Sequence, residues 1–381
     1  MISKRVEKVP HSGIRAFFDL VLGMPEVISL GVGEPDFITP WRIREKAITA
    51  LEEGITSYTS NKGLKALRQE ISYSLEKKHS LRYDPEEEIL ITVGVSEALD
   101  LVLRTILDPK DKVIVVSPHY VAYPALVELN MGHVLYLETT LEEKFKINLT
   151  KLKRLLKENP KAIIFNYPAN PTGVTYSRKE LEAIAKELSK KDLLVITDEV
   201  YEDIVYKEKH VSFPSLKGMR DRVILLNGFS KGSAMTGFRV GYACGAPRII
   251  QAMMKIHSFA IMCVPTISQI AAVQALRAEK DIQSMVKEYK RRRDFMVKEL
   301  NRLGLITPRA EGAFYCFSSL EKYKVKGLDF AKRLLMEENV AVVPGSAFGA
   351  RYDSFVRISY ASSFDDLKEA IVRIERFLKK L

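Results

Sequence analysis

Between about residues 88 and 245 the chain alternates short apolar runs with amphipathic stretches, and few folds accommodate that alternation. Apolar runs of strand length stand at 89–93, 113–117, 134–137, 162–166, 194–198, 223–226 and 241–244. One intervening helix start is legible in detail. Ser177 and Glu180 have the spacing of a capping box, and Leu181, Ile184, Ala185 and Leu188 then fall on one helical face. Strands that alternate with helices pack as a layered α/β unit around a mainly parallel sheet.

The pattern changes after about residue 285. It predicts a long charged helix over 286–302, a strand pair around 312–317 and 341–343, a helix from Leu328 and a strand at 356–360. Ser363 with Asp366 caps a last helix that runs to the C-terminus. This reads as a smaller α+β domain on which the N-terminal segment docks. The expected division is therefore an N-terminal segment at 1–40, a large domain at 41–285 and a small domain at 286–381, with a cleft between the two lobes.

With 381 residues, 46% of them apolar, the chain can fill both cores. Its 59 basic residues outnumber 48 acidic ones, a formal charge of +11. That surplus is dispersed through mixed Lys/Glu runs such as 151–158 and 186–192, so it reads as solvated surface with a weak pull on anionic substrates and not as a nucleic-acid footprint. Cys244, Cys263 and Cys316 are far apart and form no C-x-x-C, which fits packed thiols in a reducing compartment. The N-terminus lacks the apolar core of a signal peptide, and no uncharged run reaches membrane-spanning length. A cytoplasmic location is the expectation.

The main chemical signal is Lys231, which follows the apolar run 223–226 in Phe229-Ser-Lys-Gly-Ser-Ala-Met-Thr-Gly-Phe-Arg239. A lysine at a strand end among small residues, with an arginine eight positions on, suits an aldehyde cofactor that carries a phosphate. The lysine would hold the aldehyde as a Schiff base and the arginine the phosphate. A surface lysine in a polar loop fits this window too, so its weight depends on other segments.

Val93-Gly-Val95-Ser96-Glu97 follows a strand and opens a helix, where free amides can bind a phosphate. It equally fits a turn without a ligand, and Glu97 suits a phosphate neighbour only if it points away. Lacking second and third glycines, it is no dinucleotide fingerprint. Asn166-Tyr-Pro-Ala-Asn170-Pro-Thr-Gly173 leaves a strand end with Asn170 free to present its amide. In Asp198-Glu-Val-Tyr201, a carboxylate facing a pyridinium nitrogen would keep that ring an electron sink, and Tyr201 could bond its phenolic oxygen. Asp198 fits a helix cap as well. Arg357, inside an apolar strand-like run, has the planar fork that matches an α-carboxylate, although an edge arginine facing water has the same pattern. Tyr120 follows Ser117-Pro-His119 and could stack on a cofactor ring or pack in the core. His119 has no evident partner and is set aside as a base.

Taken together, these residues resemble the class I/II aminotransferases, pyridoxal-phosphate enzymes of fold type I. The resemblance spans nearly the whole chain. It includes Gly31-Val-Gly-Glu-Pro-Asp-Phe37, Tyr58 before Gly63-Leu-Lys-Ala-Leu-Arg68, Asn170-Pro-Thr-Gly173, Asp198-Glu-Val-Tyr201, Ser230-Lys231, Met235-Thr-Gly-Phe-Arg239, Gly312-Ala-Phe-Tyr315, Pro344-Gly-Ser-Ala-Phe-Gly349 and Arg357. It implies a seven-stranded, mainly parallel sheet in the large domain and a homodimer with active sites at the subunit interface. By motif, Lys231 would carry pyridoxal 5'-phosphate and Asp198 would pair with its ring nitrogen. Asn170 and Tyr201 would bind the 3′ oxygen, and Tyr120 would stack on the ring. The phosphate would meet amides at Val95 and Ser96, the side chains of Ser230 and Arg239, and Tyr58 of the partner subunit. Arg357 would hold the substrate carboxylate, helped by Gly33 and Asn170.

Three positions depart from the family pattern. Gly228 stands where some relatives place a phosphate-binding serine, Phe238 replaces a common tryptophan, and Ser96 is not the lysine of some aspartate-binding versions. The resemblance implies transamination between an L-amino acid and a 2-oxo acid, with 2-oxoglutarate the expected acceptor. The donor stays open between aspartate and an aromatic or broad range, for which Tyr120, Phe348, Tyr315 and Phe17 would supply a tolerant pocket. A C–S β-lyase and an aminotransferase for an acylated diamino acid are the alternatives. A transcription regulator of this family is not expected, because the segment before Gly31 is too short for a DNA-binding module.

Overall fold

The computed structural model describes residues 1–10, 24 and 26–381. After the short strand β1 (Ile28–Ser29), seven strands build one sheet: β2 (Ile89–Thr92), β3 (Lys112–Ser117), β4 (His133–Glu138), β5 (Ala162–Asn166), β6 (Leu194–Asp198), β7 (Val223–Gly228) and β8 (Gly241–Cys244). Their order is β2-β8-β7-β6-β5-β3-β4. Only β8 runs against its neighbours β2 and β7, so the sheet is mainly parallel, as its sequence pattern predicts.

Covered parallel strands must be apolar on both faces, and these are. Val113, Val115, Ile164 and Ile196 pack into one core with Leu99, Val102, Ile250 and Met253 of the helices Gly94–Ile106 and Pro247–Ala260. Ile114, Ile163 and Val195 feed a core on the opposite face with Leu181, Ile184 and Leu188 of Arg178–Leu188. The capping box at that helix is formed, with Ser177 Oγ accepting from Glu180 N and Glu180 reaching back to Ser177 N. The strand ends at Ser117, Asn166, Asp198 and Gly228 open on one edge of the sheet, the edge where α/β proteins build ligand sites.

A second unit gathers β9 (Tyr315–Ser319), β10 (Val340–Ala341), β11 (Val343–Pro344) and β12 (Phe355–Ser359). Here two expectations need correction. The segments around 312–317 and 341–343 do not pair, because β12 lies between β11 and β9 and bonds both, with Arg357 opposite Val343 on one side and Phe317 on the other. The apolar pattern marked strands but carried no information on partners. The long helix runs Glu279–Arg302 and so begins before 286, with Glu279 and Asp281 in its first turn, where acidic side chains favour the helix dipole. The last helix, Phe364–Leu378, is capped by Ser363 Oγ as its spacing predicts. β1 pairs in parallel with β10, which brings the segment after Ser29 across to the sheet edge. Among the described residues no helix is long and apolar enough to cross a membrane.

Candidate active site

A cavity of about 360 Å³ lies at that edge. Each wall has a separate source in the chain: Val32 to Glu34 after β1, Val95 and Ser96 after β2, Tyr120 after β3, Asn166 and Asn170 around the end of β5, Asp198 and Tyr201 at the end of β6, Ser230, Lys231 and Arg239 after β7, Tyr315 on β9 and Arg357 on β12. The residues assigned by motif to the cofactor and the substrate carboxylate, Tyr58 excepted, therefore converge on one cavity.

Lys231 Nζ donates to the Gly33 carbonyl at 2.7 Å. Position 33 must be small, since a Cβ there would lie 2.5 Å from the Tyr315 hydroxyl. Burial pushes the Lys231 amine down to about 8, opposed by the nearby carboxylates of Glu34 and Asp198 and reinforced by Arg357 and Arg239. Asp198 is buried, and desolvation pushes its carboxyl up to about 6. The Tyr123 hydroxyl at 2.7 Å and the Val200 amide at 3.2 Å donate to it and pull the other way. An amine and a carboxyl shifted towards each other in one cavity are suited to proton transfer.

Arg357 is only 1% exposed although its side chain is cationic. Its Nη1 donates to Asn170 Oδ1 at 3.0 Å and its Nη2 to the Gly31 carbonyl at 2.5 Å. The guanidinium lies 4.5 Å from the Tyr315 ring centre and 5.0 Å from that of Phe348. Among the described residues its Nε has no partner, and burial lowers its affinity for a proton. A buried fork held only by neutral groups is poised for an anion. Tyr201 and Tyr315 share a hydrogen bond of 2.7 Å between their hydroxyls beside it.

The opposite end is shaped for a phosphate. Gly94 has φ +69, and a Cβ there would come within 2.6 Å of Arg239 Nη2. Arg239 itself has φ +55 and donates from Nη1 to the Thr236 carbonyl at 3.2 Å. Thr236 in turn bonds Glu34 across the cavity mouth. Glu97 points away, as a phosphate neighbour must, with Oε2 accepting from Val93 N. The glycine at 228 also has a steric reason: a Cβ would meet Gly241 Cα and the Val240 carbonyl at 3.0 Å, so a serine there needs the backbone to shift.

Other expectations fared differently. Tyr58 is 81% exposed and does not line its own chain's cavity. Phe348 does not line it either, because its ring is fully buried beneath Arg357. Phe17 lies outside the described residues. His119 is buried, faces Ser117 Oγ at 3.1 Å and stacks on Tyr136, and desolvation pushes it down to about 4, so it stays neutral. Tyr123 was missed. Its three-residue spacing from Tyr120 was the available signal, since one turn places both on the side of the cavity.

The family model for aminotransferase class I and II matches residues 25–374. Over 383 residues the chain is 43% identical to an aspartate aminotransferase of Pyrococcus abyssi, with 100% of this chain and 98% of the relative covered. It is 39% identical to aromatic-amino-acid aminotransferase 2 of Thermococcus litoralis, again over 100% and 98%. Among solved structures, the aspartate aminotransferase from Thermus thermophilus with maleate superposes with a TM-score of 0.94 at 35% identity, covering 99% of each chain.

Proposed function

The chain belongs to the class I and II aminotransferases, pyridoxal-phosphate-dependent enzymes, and on that footing we propose that it transfers the amino group of an L-amino acid to 2-oxoglutarate. The observation that carries this reading is the meeting of Lys231, Asp198 and Arg357, all desolvated, in one cavity.

The residues fit the cofactor. Asp198, pushed up by burial, would be stabilised as a carboxylate by a cationic ring nitrogen, and the Gly94–Arg239 cradle with the Val95 and Ser96 amides and Ser230 suits a phosphate. Tyr120 would cover the ring, Asn170 and Tyr201 would bond its oxygen, and Tyr58 of the partner subunit would complete the phosphate site. When bound, the cofactor supplies an electrophilic carbon for the substrate amine and a ring that draws electron density from Cα. Arg357, with Asn170 and Gly33 beside it, would grip the α-carboxylate and turn Cα–H towards Lys231. Lys231 Nζ, in its neutral form, would take the Cα proton, and an amine near pH 8 is well matched to that task. The working unit is a homodimer in the cytoplasm.

Tyr120 and Tyr315 on the cavity wall support an aromatic or broad-range donor. Among the described residues the cavity's cations are Lys231, Arg239 and Arg357, each already occupied by the roles above, so this chain offers no further charge there for a second carboxylate. The aspartate aminotransferase of Pyrococcus abyssi favours aspartate as a second reading. Steady-state rates with 2-oxoglutarate and a donor panel separate the two. Phenylalanine or tyrosine should exceed aspartate at least about tenfold in kcat/KM, the low end of what one buried methylene discriminates. The reverse order would install aspartate, and pyruvate formed from cystathionine without an acceptor would mark a β-lyase instead.

A further inference from the structure

Behind the phosphate cradle is a buried pair that does not line the cavity. His257 sits in the last turn of Pro247–Ala260 with no exposed surface. Its Nδ1 lies 2.7 Å from Glu97 Oε1, and Glu97 Oε2 accepts from Val93 N at 2.5 Å. Among the described residues His257 Nε2 has no partner. A buried Nε2 without an acceptor is tolerated far better as a bare lone pair than as an N–H, so the proton sits on Nδ1 and is donated to Glu97.

Glu97 is in the first turn of Gly94–Ile106, the helix whose opening residues Val95 and Ser96 line the cavity and whose first amides have no partner within the helix. A carboxylate in that turn is a rival for those amides, and it repels a phosphate across less than a helical turn. We propose that His257 is a positioning residue for the phosphate cradle: its Nδ1–H holds the Glu97 carboxylate on the outer side of the turn, clamped to Val93 N, and leaves the Val95 and Ser96 amides to the anion. The Thr92 hydroxyl, which donates to the Gly94 carbonyl at 2.9 Å, fixes the same turn from the strand side. Without His257 the Glu97 carboxylate loses its directing donor and turns to the amides of its own helix, where it competes with the phosphate.

The inference rests on the pyridoxal-phosphate reading, and its test separates the two. Cofactor is stripped from full-length wild type, His257→Leu, Glu97→Gln and the double variant, and pyridoxal phosphate and pyridoxal are titrated back while absorbance is followed. Pyridoxal has the same aldehyde and ring but no phosphate. His257→Leu should weaken pyridoxal phosphate about tenfold, the scale of one misplaced charge at a helix terminus, and pyridoxal less than about twofold. Adding Glu97→Gln, which removes the charge but keeps an oxygen for Val93 N, should restore binding to within about threefold of wild type. Equal losses for both ligands, or no rescue by Glu97→Gln, would reduce His257 to a packing residue and overturn the proposal. So would unchanged affinity in His257→Leu. Glu97→Gln alone provides a variant that keeps the His257 ring in its core, and it should bind pyridoxal phosphate at least as tightly as wild type. Wild-type protein that takes up neither ligand would overturn the cofactor reading itself, and the positioning role with it.

Discussion

Burial disfavours the charged forms of both Lys231 and Asp198, so without cofactor each holds a destabilising charge near neutral pH. For Lys231 the folded value of about 8 lies below the ordinary 10.5, so the unfolded chain binds more protons between them and stability rises with pH across that window. Cofactor-free Lys231→Met should therefore be more stable than wild type at pH 7 by roughly 1–3 kcal/mol, with the gap closing as pH approaches 10. For Asp198 the folded value of about 6 lies above 3.8, so its penalty builds from pH 3.8 to 6, and the stabilisation by Asp198→Asn should grow across that range and be complete above it. Denaturant titrations at pH 4, 7 and 10 check both signs, and a gap independent of pH would contradict them. Tyr123 acts on Asp198 through one hydroxyl, so Tyr123→Phe should push that carboxyl further up and lower kcat about tenfold with little change in KM. A fall in KM affinity with kcat intact would place Tyr123 in binding instead. Lys231, Asp198 and Asn170 could be read from the sequence because each stands in a short motif at a strand end, and Arg357 because a charge interrupts an apolar strand. Tyr123 had only its three-residue spacing from Tyr120 to mark it, because its bond to Asp198 joins positions distant in sequence.

The cradle depends on two elements approaching backbone to backbone. A Cβ at Gly241, the first residue of β8, would come within 2.6 Å of Gly94 C and Val95 N, atoms that cannot swing aside. Gly241→Ala should displace the turn that opens Gly94–Ile106 and weaken pyridoxal phosphate at least about tenfold, while pyridoxal is less affected. An alanine variant with wild-type affinity for both would show that the turn is free to move. Elements with local signatures were legible: the apolar runs, the capping box at Ser177 and the cap at Ser363 all formed as read. Pairing was not, since β12 inserts between β9 and β11 from a later part of the chain. The early start at Glu279 was hidden because its apolar face, Ile282, Met285, Val286 and Tyr289, is diluted by charges on the rest of the helix.

At the scale of the whole molecule, segments distant in sequence meet at the cavity. β1 pairs with β10, and this sets Gly33 over Lys231 and Gly31 against Arg357, so the cavity is closed by a segment far from the sheet in sequence. The exposed Tyr58 has no role in its own chain's cavity, in keeping with a second copy that would share the site. Lys231 is the group that would move the proton, and every other role in the cavity serves that transfer. Purified wild type and Lys231→Ala, both loaded with pyridoxal phosphate, should be mixed with the preferred amino acid in the absence of any 2-oxo acid, and the keto acid formed in a single turnover counted. Wild type should lose its yellow colour and release about one keto acid per subunit within seconds, while Lys231→Ala should bind the amino acid and release none on that timescale. Keto acid released from Lys231→Ala at the wild-type rate would contradict the account.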